Sequence, residues 1–441
     1  MTSGGIMNLL IRFSLPLLAG NLFQQLYNTV DSVVVGNYVG KEALAAVGST
    51  TALINTLVGF FLGISAGAGV VVSQYFGARD LQNLQKTVHT MMAGTVLLGI
   101  AFTFLGIVCS PFMLRLMATP DDVIKEATVY LRIYFEGVLA LMIYNTGSGI
   151  LRAVGDSKRP LYFLIISSLL NVALDLLFVL RFNMGVAGVA YATIICESVS
   201  AVMVVAVLMH TKECYRLRLH DITIDGYVLG RIVSIGFPAG IQQAITSFSN
   251  VFVQAYINNF GSSCMAGWAS YGKIDQFAIL PMQSIALAST TFVGQNYGAH
   301  KLDRVKQGVR SALKLSFIIT VAVVIPMLIF ARQLVSLFNR ESLVLYYGIF
   351  FLRACAPFYV LCCANQIFAG ALRGLGNAAA PMVIMLGSFV VFRQIYLFIV
   401  TRISDSFYPV SMAYPVGWIV CSLFMTIYYR QYVRNILEEN S

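Results

Sequence analysis

Twelve apolar stretches, each about as long as a membrane is thick, constrain this chain more than any other feature. Six fall near 10–36, 43–76, 87–114, 123–150, 161–181 and 186–210. Six more fall near 231–260, 264–293, 308–333, 342–371, 382–402 and 408–430. A helix needs roughly 20 mostly apolar residues to cross the hydrocarbon core of a bilayer, and the longer stretches imply tilt, kinks or ends that project into water. The longest polar connection is 211–230, so the expectation is an all-α integral membrane protein with no soluble domain. Composition agrees. Hydrophobic residues make up 58% of the chain and charged residues 11%, where a soluble domain is about a quarter charged. The segment Met1–Asn8 is short and polar, and the first apolar run is too long for the core of a cleaved signal, so it is expected to remain as the first span.

A net charge of +10 first suggests nucleic acid, but the placement of the basic residues excludes it. With both termini in the cytoplasm, 18 of the 29 Lys and Arg fall inside and 7 outside. Arg132, Lys273, Arg353 and Arg393 fall within spans. That bias is the positive-inside signature. It predicts a multi-pass protein of the cell (inner or plasma) membrane with cytoplasmic termini, the bilayer as a partner and no nucleic acid. The eight Cys lie mostly in apolar spans without metal-ligand spacing, and Cys362 and Cys363 are adjacent. They read as small core residues.

The chain also repeats itself. Val72-Ser73-Gln74-Tyr75-Phe76-Gly77-Ala78-Arg79 recurs as Val293-Gly294-Gln295-Asn296-Tyr297-Gly298-Ala299-His300, 221 positions later. Leu151-Arg152-Ala153-Val154-Gly155 through Pro160 recurs at the same offset as Leu372-Arg373-Gly374-Leu375-Gly376 through Pro381, and Leu131-Arg132 matches Leu352-Arg353. Pro16 pairs with Pro238 at 222. Six spans per half is an even number, so both halves insert the same way, as a parallel repeat about an axis along the membrane normal. The expected domains are an N-terminal six-helix bundle over 1–210, a cytoplasmic linker over 211–230 and a C-terminal six-helix bundle over 231–441. Gly77 and Gly298 suit the left-handed position that ends a helix, and Pro160 and Pro381 the first turn of the next.

An ionisable group at mid-bilayer costs roughly 2.5–3.5 kcal/mol even on insertion scales. The acids within spans are Asp31, Glu136, Asp175, Glu197 and Asp275. Spans one and five run outward and reach Asp31 and Asp175 at similar depth, and span six runs inward and reaches Thr193 there. Asn171 lies four residues before Asp175, on the same helical face. These four are expected to converge. Two nearby carboxylates resist ionising together, which makes a proton site, while carboxylate, amide and hydroxyl oxygens also suit Na⁺. The alternative is a polar knot that fastens three helices, although a fastener alone would not need two acids. Arg132 and Glu136 are spaced to pair along one helix face. Lys273 and Asp275 are two apart and face different ways. Glu197, one turn beyond Thr193, reads equally as a proton relay or a structural group.

The Gln-x-x-Gly-Ala endings of spans two and eight and the Leu-Arg-x-x-Gly…Pro turns after spans four and ten resemble the multidrug and toxic compound extrusion (MATE) transporters, from about Leu15 to Tyr429. The resemblance implies two six-helix bundles around a V-shaped cleft and alternating access. It implies export of small organic, often cationic, compounds in exchange for H⁺ or Na⁺, by a monomer with no enzymatic activity and no cofactor beyond the coupling ion. Asp31, Asn171, Asp175 and Thr193 fall where the DinF-like branch carries its cation site, with Na⁺ as the metal alternative to H⁺. Pro16 matches that branch's helix-bending proline, and Gln24, Tyr27, Tyr130 and Asn145 match its cleft and first-bundle pocket. The second half departs from the first. Val253 stands opposite Asp31, and the stretch near Tyr396–Phe398 that matches Asp175 has no acid, so coupling is expected in the first half.

Other classes fare worse. No Gly-x-x-x-x-Gly-Lys-[Ser/Thr] loop occurs, and the four His lie far apart near cytoplasmic helix ends, without ligand spacing. The rival is a lipid-linked-oligosaccharide flippase of the same superfamily, whose cavity tends to be more basic than Arg132, Lys273, Arg353 and Arg393 would make this one.

Overall fold

A computed structural model describes residues 1–39, 41–116, 123–404 and 406–439, and among them there is no β-strand. The first half contains α1 (Ile6–Val34), α2 (Lys41–Ala78), α3 (Leu81–Leu116), α4 (Ile124–Glu136), α5 (Val138–Ala153), α6 (Lys158–Leu176) and α7 (Gly185–His210). The second contains α8 (Gly226–Asn258), α9 (Ser262–Gly298), α10 (Leu302–Ile329), α11 (Ala331–Ser336), α12 (Ser342–Cys355), α13 (Tyr359–Gly374), α14 (Ala379–Leu386), α15 (Arg393–Ile403), α16 (Phe407–Ser411) and α17 (Ala413–Glu439). With α4–α5, α12–α13 and α14–α15 each taken as one interrupted rod, and the short α11 and α16 set aside, these make the twelve expected rods. Among the described residues nine helices are long and apolar enough to span, ten if the bent pair α4–α5 is one span. The other two rods are α8 and α17, long enough at 33 and 27 residues but diluted by polar side chains such as Gln242, Gln243, Ser249 and Asn250 on α8.

The repeat reappears in the local geometry. Both α2 and α9 end in a Schellman motif: Asp80 N–H donates to Tyr75 O at 3.1 Å, and Lys301 N–H to Asn296 O at 2.8 Å. The left-handed residues are Arg79 (φ 59°) and His300 (φ 56°), not Gly77 and Gly298. Each helix runs on past its glycine, and the αL position falls to a residue with a side chain. Asp80 then caps α3, accepting from Asn83 N at 3.1 Å and from Asn83 Nδ2 at 2.6 Å. These bonds, the side-chain one foremost, hold its carboxyl below the usual range. The turns after α5 and α13 use the same motif with glycine where expected, at Gly155 (φ 100°) and Gly376 (φ 95°). Pro160 and Pro381 each sit third in the following helix. Even the breaks match. Span four bends 45° at Gly137, and 221 positions later Ala356–Phe358, carrying Pro357, interrupts span ten as a 3₁₀ turn. Gly137 has a packing reason as well, because a Cβ there would lie 2.3 Å from the Ile194 side chain.

The described residues form two compact units, one of Pro16–Gly240 and one of Met1–Leu15 with Ile241–Ser441. These limits differ from the repeat limits at 210 and 231. They cut α1 at Pro16 and α8 just after Pro238, and each proline removes one intrahelical hydrogen bond and crowds the preceding turn. Within the first unit the polar connection 211–225 is docked on α3. His89 Nε2 accepts from Arg218 N at 3.1 Å, Asp225 N donates to Thr90 Oγ1 at 3.1 Å, and Lys86 lies 3.7 Å from the Asp225 carboxylate. Leu217 is buried beneath it. In the same unit α2 meets the start of α8 through glycines spaced by four. A Cβ on Gly67 would fall 2.2 Å from Gly236 N, and one on Gly63 2.3 Å from Gly240 Cα. This is the small-residue crossing that lets membrane helices approach backbone to backbone. The eight Cys are free thiols, six of them buried.

Candidate cation-coupling site

Three helices of the first unit bring the predicted acids together. Asp31 stands near the end of α1 and Asp175 near the end of α6, and their carboxyl groups lie close enough to act on each other's charge. Asp175 is fully buried. Neither of its oxygens, nor Asp31 Oδ1, meets a protein donor. Asn171, one turn earlier on α6, is 2% exposed, and both its Oδ1 and its Nδ2 are without a partner. Thr193 on α7 donates its hydroxyl proton to Val189 O at 3.0 Å, which leaves its oxygen lone pairs free to accept.

One turn beyond the acids the surroundings become apolar. Val34 and Val35 follow Asp31, Val179 follows Asp175, and Val186, Val189 and Ala190 precede Thr193. These pack with Tyr130 and Ile133 into one buried cluster. That apolar cluster closes one end of the site, and among the described residues no basic side chain pairs with either carboxyl group.

The residues assigned to the cleft and pocket divide. Tyr130 on α4 lies close enough to Asp31 and Asp175 to feel both charges. Tyr27, one turn before Asp31, bonds to Gln24 and faces Asp31 and Glu197. Asn145 stays out of the cluster. Its Nδ2 donates to Leu141 O at 2.9 Å within α5, and its backbone carbonyl accepts from Ser65 at 3.0 Å. Pro16 lies four turns down α1 from Asp31, at the limit between the two units. Arg132 and Glu136, spaced to pair on α4, are both exposed and form no ion pair with each other.

In the second unit the structure shows what the spacing does not. Asp275 on α9 accepts from Tyr271, one turn away, at 3.2 Å and from Tyr359 on α13. The two tyrosines join a ring of aromatics completed by Trp268, Tyr414 and Trp418, with neighbouring centroids 5.0–6.0 Å apart. Its acid is therefore already supplied with donors. Arg393, one position from the repeat counterpart of Asn171, is buried. It donates to Ser249 Oγ at 3.0 Å and Asn250 Oδ1 at 2.9 Å and stacks on Tyr414. Where the first repeat places acceptors, the second places a cation.

Comparison with known proteins places the chain. The MatE family profile matches it twice, over 16–177 and 238–399, the same two halves that the repeat defines. The probable multidrug resistance protein YoeA of Bacillus subtilis is 30% identical over 427 residues, covering 95% of this chain and 92% of its own length. The probable multidrug resistance protein YpnP of the same organism is 30% identical over 393 residues, 89% and 88% of the two chains. A solved MOP-superfamily transporter from Pyrococcus furiosus, described as having a binding pocket of reverse polarity, superposes with a TM-score of 0.92 at 25% identity, covering 98% of this chain and 96% of its own. An all-helical fold, a doubled profile and full-length relatives lead to one conclusion: the chain is a MatE-family membrane transporter, not an enzyme.

Proposed function

We propose that this transporter exports small organic, cationic compounds across the cell membrane by alternating access, in antiport with H⁺ or Na⁺, and that Asp31 and Asp175 carry the coupling charge. One observation carries the reading. Two carboxyl groups from different helices face each other in a water-poor setting with no protein donor on Asp175 and no basic partner among the described residues. Such a pair is costly unless it holds a proton or a cation, and loading or unloading it changes how α1 and α6 pack. Asn171 and Thr193 add neutral oxygens to the same place. Pro16, which interrupts the bonding of α1, is where that helix would bend. Gln24, Tyr27 and Tyr130 line the approach, as in the DinF-like branch. The names of the relatives favour drug export over lipid-linked-oligosaccharide flipping. A single chain suffices for this mechanism.

The test is efflux of a fluorescent organic cation from proteoliposomes under separately imposed proton and sodium gradients. Efflux that follows at least one gradient is expected, and gradient-independent leak contradicts the reading. The orientation, with both termini cytoplasmic, rests on the distribution of Lys and Arg. It predicts that the half-buried thiol of Cys214, in the connection between the halves, and engineered cysteines beside it react with an impermeant maleimide only from the cytoplasmic side. Labelling from outside would reverse the topology.

A further inference from the structure

The second unit holds an acid and a base that do not meet. Arg393 lies midway along a spanning stretch at 3% exposure, and among the described residues no carboxylate pairs with it. Its hydrogen bonds, to Ser249 Oγ and Asn250 Oδ1, both leave from Nη2, and the buried Nε has no partner. A cation left so inside a membrane span is costly. Asp275 does not offset it. That carboxylate receives Tyr271 and Tyr359 on the same oxygen, Oδ1. Its Oδ2 accepts no hydrogen bond among the described residues, and the residue is half-buried. Tyr414 links the two charges. Arg393 lies over its ring, 4.6 Å from the centroid. On the other side Trp268 is 5.5 Å away and leads to Tyr271, at 5.0 Å, and so to Asp275. Both charges are near enough to act on Tyr414. The group reaches the surface of the unit, because Trp268 and Tyr414 are half-buried and Asn250, which accepts from Arg393 and from the Tyr414 hydroxyl at 3.2 Å, is exposed.

An acid and a base that only fastened helices would do so best in contact, where each offsets the other's desolvation. Here aromatic rings hold them apart, and each keeps hydrogen-bonding capacity in reserve. A flat aromatic molecule that carries both a cationic and an anionic group answers the whole arrangement. Its carboxylate accepts from the guanidinium, its cationic end meets Asp275 and the aromatic faces, and its ring packs against Trp268 and Tyr414. We propose that this surface of the second unit is a substrate subsite for zwitterionic aromatic compounds, with Arg393 reading the anionic group and Asp275 the cationic one. It deepens the export reading, on which it rests for its purpose, by giving the second unit a part in selectivity while coupling stays in the first.

The experiment is a fluorescence-anisotropy titration of the purified full-length protein with two probes: a rhodamine whose pendant carboxylate is free, and its methyl ester. The first is a zwitterion and the second a cation of nearly the same shape. The wild type is expected to bind the free acid more tightly than the ester. Arg393→Gln should weaken binding of the acid about tenfold, as loss of hydrogen bonds to a charged group does, and leave the ester unchanged. Asp275→Asn should weaken both probes alike, because both carry the cationic ring system. If Arg393→Gln does not fold, Arg393→Lys, which keeps the charge without the fork, carries the test and should retain only part of the preference. A wild type that binds the ester as tightly as the acid overturns the subsite. So does an Arg393→Gln protein that keeps the preference, or one that loses both probes equally, which would make Arg393 a fastener. Wild-type efflux of the ester in proteoliposomes separates the two readings. Efflux that ignores every imposed gradient would overturn the export reading alone, and gradient-driven efflux without a preference for the acid would overturn the subsite alone.

Discussion

Asp31→Asn protein is expected to fold, insert and bind substrate, and to lose gradient-driven efflux down to the level of empty vesicles. Asparagine keeps the size of the side chain and its capacity to hydrogen-bond, so the packing around the end of α1 should survive. The amide can neither release a proton nor neutralise a cation. Asp175→Asn should behave alike, because the two carboxyl groups face each other and share one load. The double variant should be little worse than either single, since residues that act as a unit do not add. Asn171→Ala and Thr193→Ala remove neutral oxygens and should weaken coupling in a graded way. Initial efflux rates against an imposed gradient, with protein yield and melting temperature as controls, decide the matter. A well-folded Asp31→Asn protein that exports at near wild-type rate would reduce the cluster to a structural knot.

Gly67→Ala is expected to have the largest effect on stability. Its new methyl group would lie 2.2 Å from Gly236 N and 2.3 Å from Gly236 Cα. The obstacle is backbone, so no rotamer change relieves it and α2 and α8 must separate. Overpacking a closely fitted site costs about 1–3 kcal/mol, and more where the neighbour cannot yield. Gly230→Ala on the same α8 is the control, because nothing lies within 4 Å of the added methyl. In a helix that change is worth roughly 1 kcal/mol in the stabilising direction. Melting temperatures in one detergent should therefore move in opposite directions. Equal behaviour of the two variants would mean that the glycine crossing does not hold these helices together.

Much of the architecture was legible because helix phase and repeat offset are properties of a single chain. Matched motifs 221 apart announce two like halves, and the depth of Asp31, Asp175 and Thr193 along their spans predicts that they converge. What stayed hidden depends on which helix packs against which. Tyr359 reaches Asp275 from 84 positions away, and no spacing signals it, although Tyr271, four residues before Asp275, does carry a local hint. The meeting of Gly63 and Gly67 with Gly240 and Gly236 is of the same kind. The sequence puts Glu197 one turn from Thr193, but the small cavity that it shares with Ser167, Ser168 and Asn171 emerges only when α1, α6 and α7 are assembled. The local rules also had limits. Gly77 and Gly298 suggested the left-handed caps that Arg79 and His300 adopt, and the i,i+4 spacing of Arg132 and Glu136 did not produce a pair. Asn145 commits one amide proton to its own helix, donating to Leu141 O, a bond that the family pattern does not announce.

The central claim is that coupling resides in the first repeat alone. The second repeat offers Asp275, already held by two tyrosine hydroxyls, and a buried Arg393 near the counterpart of Asn171, where a positive charge would repel a coupling cation. Efflux of a fluorescent cation from proteoliposomes, measured side by side for Asp31→Asn and Asp275→Asn with and without the driving gradient, tests the claim most directly. The account predicts that Asp275→Asn keeps its gradient dependence, whatever happens to substrate affinity, while Asp31→Asn loses it. Gradient dependence lost in Asp275→Asn and kept in Asp31→Asn would contradict it.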